Sequence, residues 1–158
     1  MYLPSYDFEK DNKALWNLRK KNKKLRIALL CGPKSREDAV YWSSFPFEQT
    51  SSGFVHQNLK QLGFDVRVVK NTAKNLEKRL QWADVVFLNG HGEFGEDGTI
   101  QGFLEYIAKP YTGPGIYASC LGIDKVRFKK FISRIGLSTP DWVILRETSL
   151  REIRDAVG

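Results

Sequence analysis

Three short apolar runs constrain this chain more than any other feature. Leu25-Arg-Ile-Ala-Leu-Leu-Cys31 stops at Gly32-Pro33, Asp65–Val69 follows a glycine, and Val85-Val-Phe-Leu-Asn89 runs into a glycine-rich stretch. Their length and flanks suit strands buried on both faces. Helical spacing separates them. Phe54, Val55, Leu59 and Leu62 share one stripe of a helix that stops at Gly63, a residue suited to a left-handed C-terminal cap. Thr72 can cap a helix running to about Trp82, and Thr99–Ala108 reads as a third helix. The stretch from Ser35 to Ser52 is aromatic-rich and loop-like. Strand and helix alternating through short connections predict an α/β fold, an open parallel sheet with helices on both faces.

The second half changes character. Pro110-Tyr111-Thr112-Gly113-Pro114-Gly115 forms a rigid turn. A helix through Leu121 follows, then another from Asp124 to Ile135, closed by Gly136. Asp141-Trp-Val-Ile-Leu145 reads as a strand, and Ser149-Leu-Arg-Glu152 is a capping box opening a last helix. At 158 residues the chain suits one domain plus a piece of another. The expected division is an arm over 1–24, an α/β domain over 25–115, and the start of a second domain over 116–158.

Composition excludes several classes. Hydrophobic residues make up 42% and charged residues 27%, so a packed core is expected rather than disorder. No apolar run approaches the ~18–20 residues needed to span a bilayer, and Met1–Lys13 lacks a secretory apolar segment. The expected location is the cytoplasm. The net charge of +7 raises the alternative of a nucleic-acid-binding protein. However, residues 1–26 hold eight Lys/Arg against three acids, which leaves only +2 for the rest. The basicity belongs to an arm read as a polar helix over Asn12–Lys24, with Leu15 and Leu18 as its anchors and Trp16 its one interleaved aromatic. Cys31 and Cys120 lie far apart without metal-ligand spacing. Both are expected to be buried, inert thiols, and no metal ligand is assigned.

The segment Asn89-Gly90-His91-Gly92-Glu93-Phe94-Gly95-Glu96-Asp97-Gly98-Thr99-Ile100-Gln101-Gly102 carries the chemistry. It joins a buried strand to a helix, and in open α/β sheets ligands bind at the carboxyl ends of strands. Glycines let backbone approach a ligand, and a helix N-terminus offers free N–H groups. His91 can hydrogen-bond or exchange a proton there. The bland alternative is a glycine-rich turn with capping acids, and Glu96 and Asp97 are expected to cap the helix at Thr99 and fix the loop. The spacing from Gly90 only formally contains the dinucleotide pattern, because Glu105, the acid that would read a ribose, falls inside the next helix.

Three blocks agree with one family. His91-Gly92-x-x-Gly95-Glu96-Asp97-Gly98-Thr99-Ile100-Gln101-Gly102, then Pro110-Tyr111-Thr112-Gly113-x-Gly115-x-x-Ala118-Ser119, then Asp124-Lys125-x-x-x-Lys129 resemble the D-alanine–D-alanine ligases of the ATP-grasp superfamily in order and spacing. The resemblance is strong over 85–145 and weak before Leu25. It implies a Rossmann-like pre-ATP-grasp domain, followed by the start of the ATP-grasp central domain. In that family ATP phosphorylates the carboxylate of one D-alanine, the amine of a second attacks the acyl phosphate, and magnesium bridges the phosphates. The product serves peptidoglycan synthesis.

Carried over residue by residue, the resemblance makes His91 a neighbour of the first-substrate site and Lys125 a ligand of ATP phosphates. Gly32-Pro33-Lys34-Ser35-Arg36-Glu37-Asp38-Ala39-Val40 matches the family's Gly-Gly-Ser-Ala-Glu-Arg-Glu-Val-Ser stretch, with the second glycine lost, one residue added and Tyr41 where a serine closes it. Aligning Ser35 puts Glu37 where a glutamate receives the first D-alanine's ammonium. The bland alternatives are a solvated loop acid for Glu37, a loop hydrogen bond for His91 and a surface lysine for Lys125. The implied partners are D-alanine and ATP, with Mg2+; a homodimer is admitted, and neither nucleic acid nor membrane is called for. The family's ATP-clamping strands, substrate-carboxylate arginine and magnesium ligands lie beyond the matching region, so the chain alone is not expected to ligate. Two other readings stay open, a non-catalytic nucleotide-binding or regulatory module and a related ligase with another second substrate.

Overall fold

The computed structural model describes residues 25–32, 44–144 and 154. The basic arm, the Glu37 loop, the capping box at Ser149–Glu152 and Leu145 lie outside the described residues.

A three-stranded parallel sheet organises the rest. Strands β1 (Arg26–Gly32), β2 (Asp65–Lys70) and β3 (Val85–Gly90) stand in the order β2-β1-β3. The middle strand is the one whose sequence is apolar throughout, and Ile27–Cys31 are all buried. In register, Ile27 lies beside Val66 and Val85, and Leu30 beside Val69 and Leu88. At the amino end Arg26 clamps Asp84: its backbone N–H donates to Oδ2 at 2.9 Å and its guanidinium to Oδ1 at 2.7 Å. That pair fixes the start of β1 against the start of β3.

Alternation along β1 sends Ile27 and Leu29 to one face, Ala28 and Leu30 to the other. Helix α1 (Ser51–Gln61) follows a 3-10 turn at Phe47–Gln49 and covers the first face, with Val55 and Leu59 packed against Ile27, Leu29 and Val66. Thr50 caps α1 by accepting the Gly53 N–H at 3.1 Å, and Gly63, at φ +87°, turns the chain out of it. Helices α2 (Leu76–Leu80) and α3 (Thr99–Tyr106) cover the second face, where Leu80, Ile100 and Leu104 meet Ala28, Leu30, Val69 and Val86. Helices therefore lie on both faces, as the alternation predicts. Two more helices follow, α4 (Ile116–Ile123) and α5 (Lys125–Arg134). Asp124 caps α5 through the Arg127 N–H at 2.9 Å, and Gly136, at φ +78°, follows its end.

Four expectations need correction. The helix from Thr72 is shortened to Leu76–Leu80, because Asn71 N–H first extends the ladder to Cys31 O and a turn from Lys70 O to Ala73 N–H consumes the next residues. Asn75, in the left-handed region at φ 56°, starts the helix instead of Thr72. Helix α1 begins at Ser51, inside the stretch read as loop. Residues 141–144 form no strand. A strand needs a ladder partner, and no described strand pairs with 141–144; the residues just before it are tied to α5 by Lys129 Nζ, which donates to Thr139 Oγ1 at 2.9 Å and to Pro140 O at 3.1 Å. Finally, Cys31 is buried but Cys120 is exposed, because the helical turn of α4 points Ser119 inward in its place.

Candidate functional site

The strand order places a crevice. From β1 the chain passes to β2 on one side, then crosses to β3 on the other, so β1 and β3 part company at their carboxyl ends. Such a switch point is where open α/β sheets hold ligands. Here the last paired residues of β1 and β3 are two glycines, Gly32 and Gly90. Neither projects a side chain, and each backbone is closely approached. A Cβ on Gly32 would lie 1.8 Å from Asn71 Oδ1, and one on Gly90 would lie 3.1 Å from Gly95 Cα.

The loop from Gly90 to Gly98 is built back onto this edge. Its own carboxylates hold it: Glu96 Oε2 accepts the Gly92 N–H at 3.0 Å, and Asp97 Oδ2 accepts the Phe94 N–H at 3.0 Å. The other Asp97 oxygen accepts the Thr99 N–H at 2.9 Å, at the first turn of α3. Burial raises the Asp97 pKa, but these backbone donors outweigh it and hold the carboxyl below its ordinary range. Glu96 and Asp97 thus fix the loop and the helix start. Gly92 and Gly98 occupy the left-handed region at φ +64° and +91°, which a side chain would disfavour. Phe94 adopts the same region without being glycine.

His91 sits on the exposed side of the loop, immediately after β3, with Nδ1 3.6 Å from Glu96 Oε1. The surrounding polar groups were not singled out by the sequence. Asn89 Nδ2 donates to Ser52 Oγ at 2.9 Å, tying β3 to the first turn of α1. Burial pushes the Cys31 thiol up, with Ser52 beside it acting in the opposite sense. Thr112 Oγ1 accepts the Leu88 N–H at 3.1 Å, and Asn71 Nδ2 reaches Phe94 O at 3.5 Å. Asn71 follows the end of β2 and Asn89 lies near the end of β3; Ser52 and Thr112 carry no such signal.

Lys125 opens α5, is exposed, and donates from Nζ to Gly122 O at 2.6 Å. A contact between the two helical elements and the loop comes from Cys120, whose Sγ lies 3.1 Å from Asp97 O. No direct contact joins His91 and Lys125 among the described residues, and Glu37 lies outside them. No group of three or more His, Cys, Asp or Glu among the described residues is placed to hold a metal ion.

Comparison with known proteins agrees with this frame. Residues 46–114 match the family model described as the D-ala D-ala ligase N-terminus. A D-alanine–D-alanine ligase of Alcanivorax borkumensis is 40% identical over 119 residues, 75% of this chain and 36% of that protein. The same enzyme of Desulforamulus reducens is 36% identical, covering 83% of this chain and 44% of its own length. The crystal structure of the Bacillus anthracis ligase complexed with ATP superposes with a TM-score of 0.61 at 27% identity, over 83% of this chain and 44% of that one. The chain thus spans about two fifths of the length of the curated relatives it matches. Its α/β unit is thus similar to the N-terminal part of the D-alanine–D-alanine ligases.

Proposed function

We propose that this chain supplies the first-substrate half of an ATP-dependent D-alanine–D-alanine ligase. The observation that carries the reading is His91, held at the carboxyl end of β3 by a loop whose backbone is fixed by Glu96 and Asp97. A carboxylate lying over Gly32 and Gly90 would meet bare backbone and the imidazole of His91. Lys125, on the neighbouring helix, exchanges its contact with Gly122 O for phosphate oxygens of ATP. Glu37, leading from the end of β1, receives the ammonium of the first D-alanine. With both charges of the amino acid held, its carboxylate is oriented toward the phosphate that it attacks.

Magnesium, when bound in such enzymes, neutralises phosphate charge. The described residues do not form a site for it, so no step is assigned to the metal from this chain. The division at 115/116 separates the substrate-binding unit from the helices that begin the ATP-binding part, and the setting is the cytoplasm, where ATP and D-alanine are available.

The test is phosphate release from ATP by the catalytically complete protein that contains this chain. Release that requires D-alanine, with D-alanyl-D-alanine as product, is expected. Release that is indifferent to D-alanine, or none with a folded complete protein, contradicts the reading.

A further inference from the structure

Gln101 lies on the first turn of α3, on the same side as the core residues Ile100 and Leu104, and is 2% exposed. Its Nε2 donates to Gly95 O at 3.1 Å, while its Oε1 is buried without a hydrogen-bond partner. Gly95 in turn lies flat against the peptide that joins Gly90 to His91: a Cβ there would come within 2.6 Å of Gly90 C and of His91 N. Glu96, Asp97 and Asn71 also bond to the loop, but all three reach water. Gln101 does not.

We propose that Gln101 is a positioning residue of this site. Its amide pins the Gly95 carbonyl, and Gly95, wedged beneath the Gly90–His91 peptide, sets the height at which His91 is presented. An apolar side chain of the same length would fill the space but leave the Gly95 carbonyl without its donor. Tight contact makes the coupling stiff, because close-packed interiors transmit small displacements.

The catalytic consequence rests on the ligase reading; the positioning itself does not. The experiment substitutes Gln101→Met, nearly isosteric and without donor or acceptor. In the 158-residue chain, amide exchange at Gly95 and His91 is expected to quicken about fivefold or more, the loss of one buried hydrogen bond. In the catalytically complete protein, KM for D-alanine rises by a similar factor and KM for ATP does not. Should the methionine variant fail to fold, Gln101→Leu also removes donor and acceptor and is smaller. Unchanged exchange at both amides in a folded variant overturns the proposal. His91→Ala run alongside separates the two claims: if it leaves KM for D-alanine untouched, the substrate reading fails, while the exchange rates still decide the role of Gln101.

Discussion

The α/β unit and the two helices after it differ in how they treat their apolar side chains. In the first, β1 is buried on both faces, and Leu29, Leu80 and Leu104 are fully enclosed. In the second, α5 has no buried residue, α4 buries only Ser119, and Phe128, Phe131, Ile135 and Leu137 are exposed. A strand flanked by strands is covered by any helix laid on its sheet. The two helices that follow lie beyond that sheet, and their large apolar side chains stay open among the described residues. Apolar content therefore predicts burial only where the topology supplies a second layer.

The largest expected effect breaks this contrast directly. Leu29→Ala should cost about 2–5 kcal/mol, the range for a large-to-small change in a closed core. Phe131→Ala in the same 158-residue chain should stay within ~0.5 kcal/mol, as for exposed positions. Denaturant melts of the two variants check this, and similar losses would show that α5 is packed after all. A smaller effect is expected at the loop. Gly95→Ala drives a Cβ into the Gly90–His91 peptide, an overpacking that costs about 1–3 kcal/mol, while Gly102→Ala, which meets only Ile116 Cδ1 at 3.8 Å, should be near neutral. Equal melting temperatures for these two variants would dissolve the wedge.

The smallest effect concerns the amino edge. The hydrogen bond from Arg26 is the main cause that lowers Asp84 from 3.8 to about 2. The folded state then binds this proton more weakly than the unfolded one. The resulting stabilisation is present above about pH 4 and lost as pH falls toward 2. Asp84→Asn should remove that part of the acid dependence, which paired acid titrations of the two proteins can measure. Identical acid profiles would mean that the clamp is not made in solution.

The parts legible in the sequence were those set by local pattern. Strand runs such as Leu25–Cys31, the glycine stops at Gly63 and Gly136, and the loop acids Glu96 and Asp97 each act over a few residues. What was not legible depended on partners distant in the chain. The failure of 141–144 to pair reflects the lack of a described strand beside it. Cys120 is exposed although its Sγ reaches Asp97 O, across the junction of α4 with the loop. Asn71 and Gln101 belong to the site because they approach Gly32 and Gly95, and no spacing rule brings such residues together. His91 and Lys125 were found through motif blocks rather than through generic physics, which would have left either as an ordinary surface group.

The central claim is that the loop after β3 serves the first D-alanine, whereas the start of α5 serves ATP. Steady-state kinetics of His91→Ala and Lys125→Ala in the catalytically complete protein test it most directly. Loss of the lysine should raise KM for ATP and lower kcat, with kcat/KM falling by about one to two decades, as for removal of one charge-assisted contact worth ~1.5–3 kcal/mol. Loss of the histidine should raise KM for the first D-alanine and spare that for ATP. Two variants that both alter only the ATP constant, or a His91→Ala enzyme with unchanged kinetics, would contradict the account.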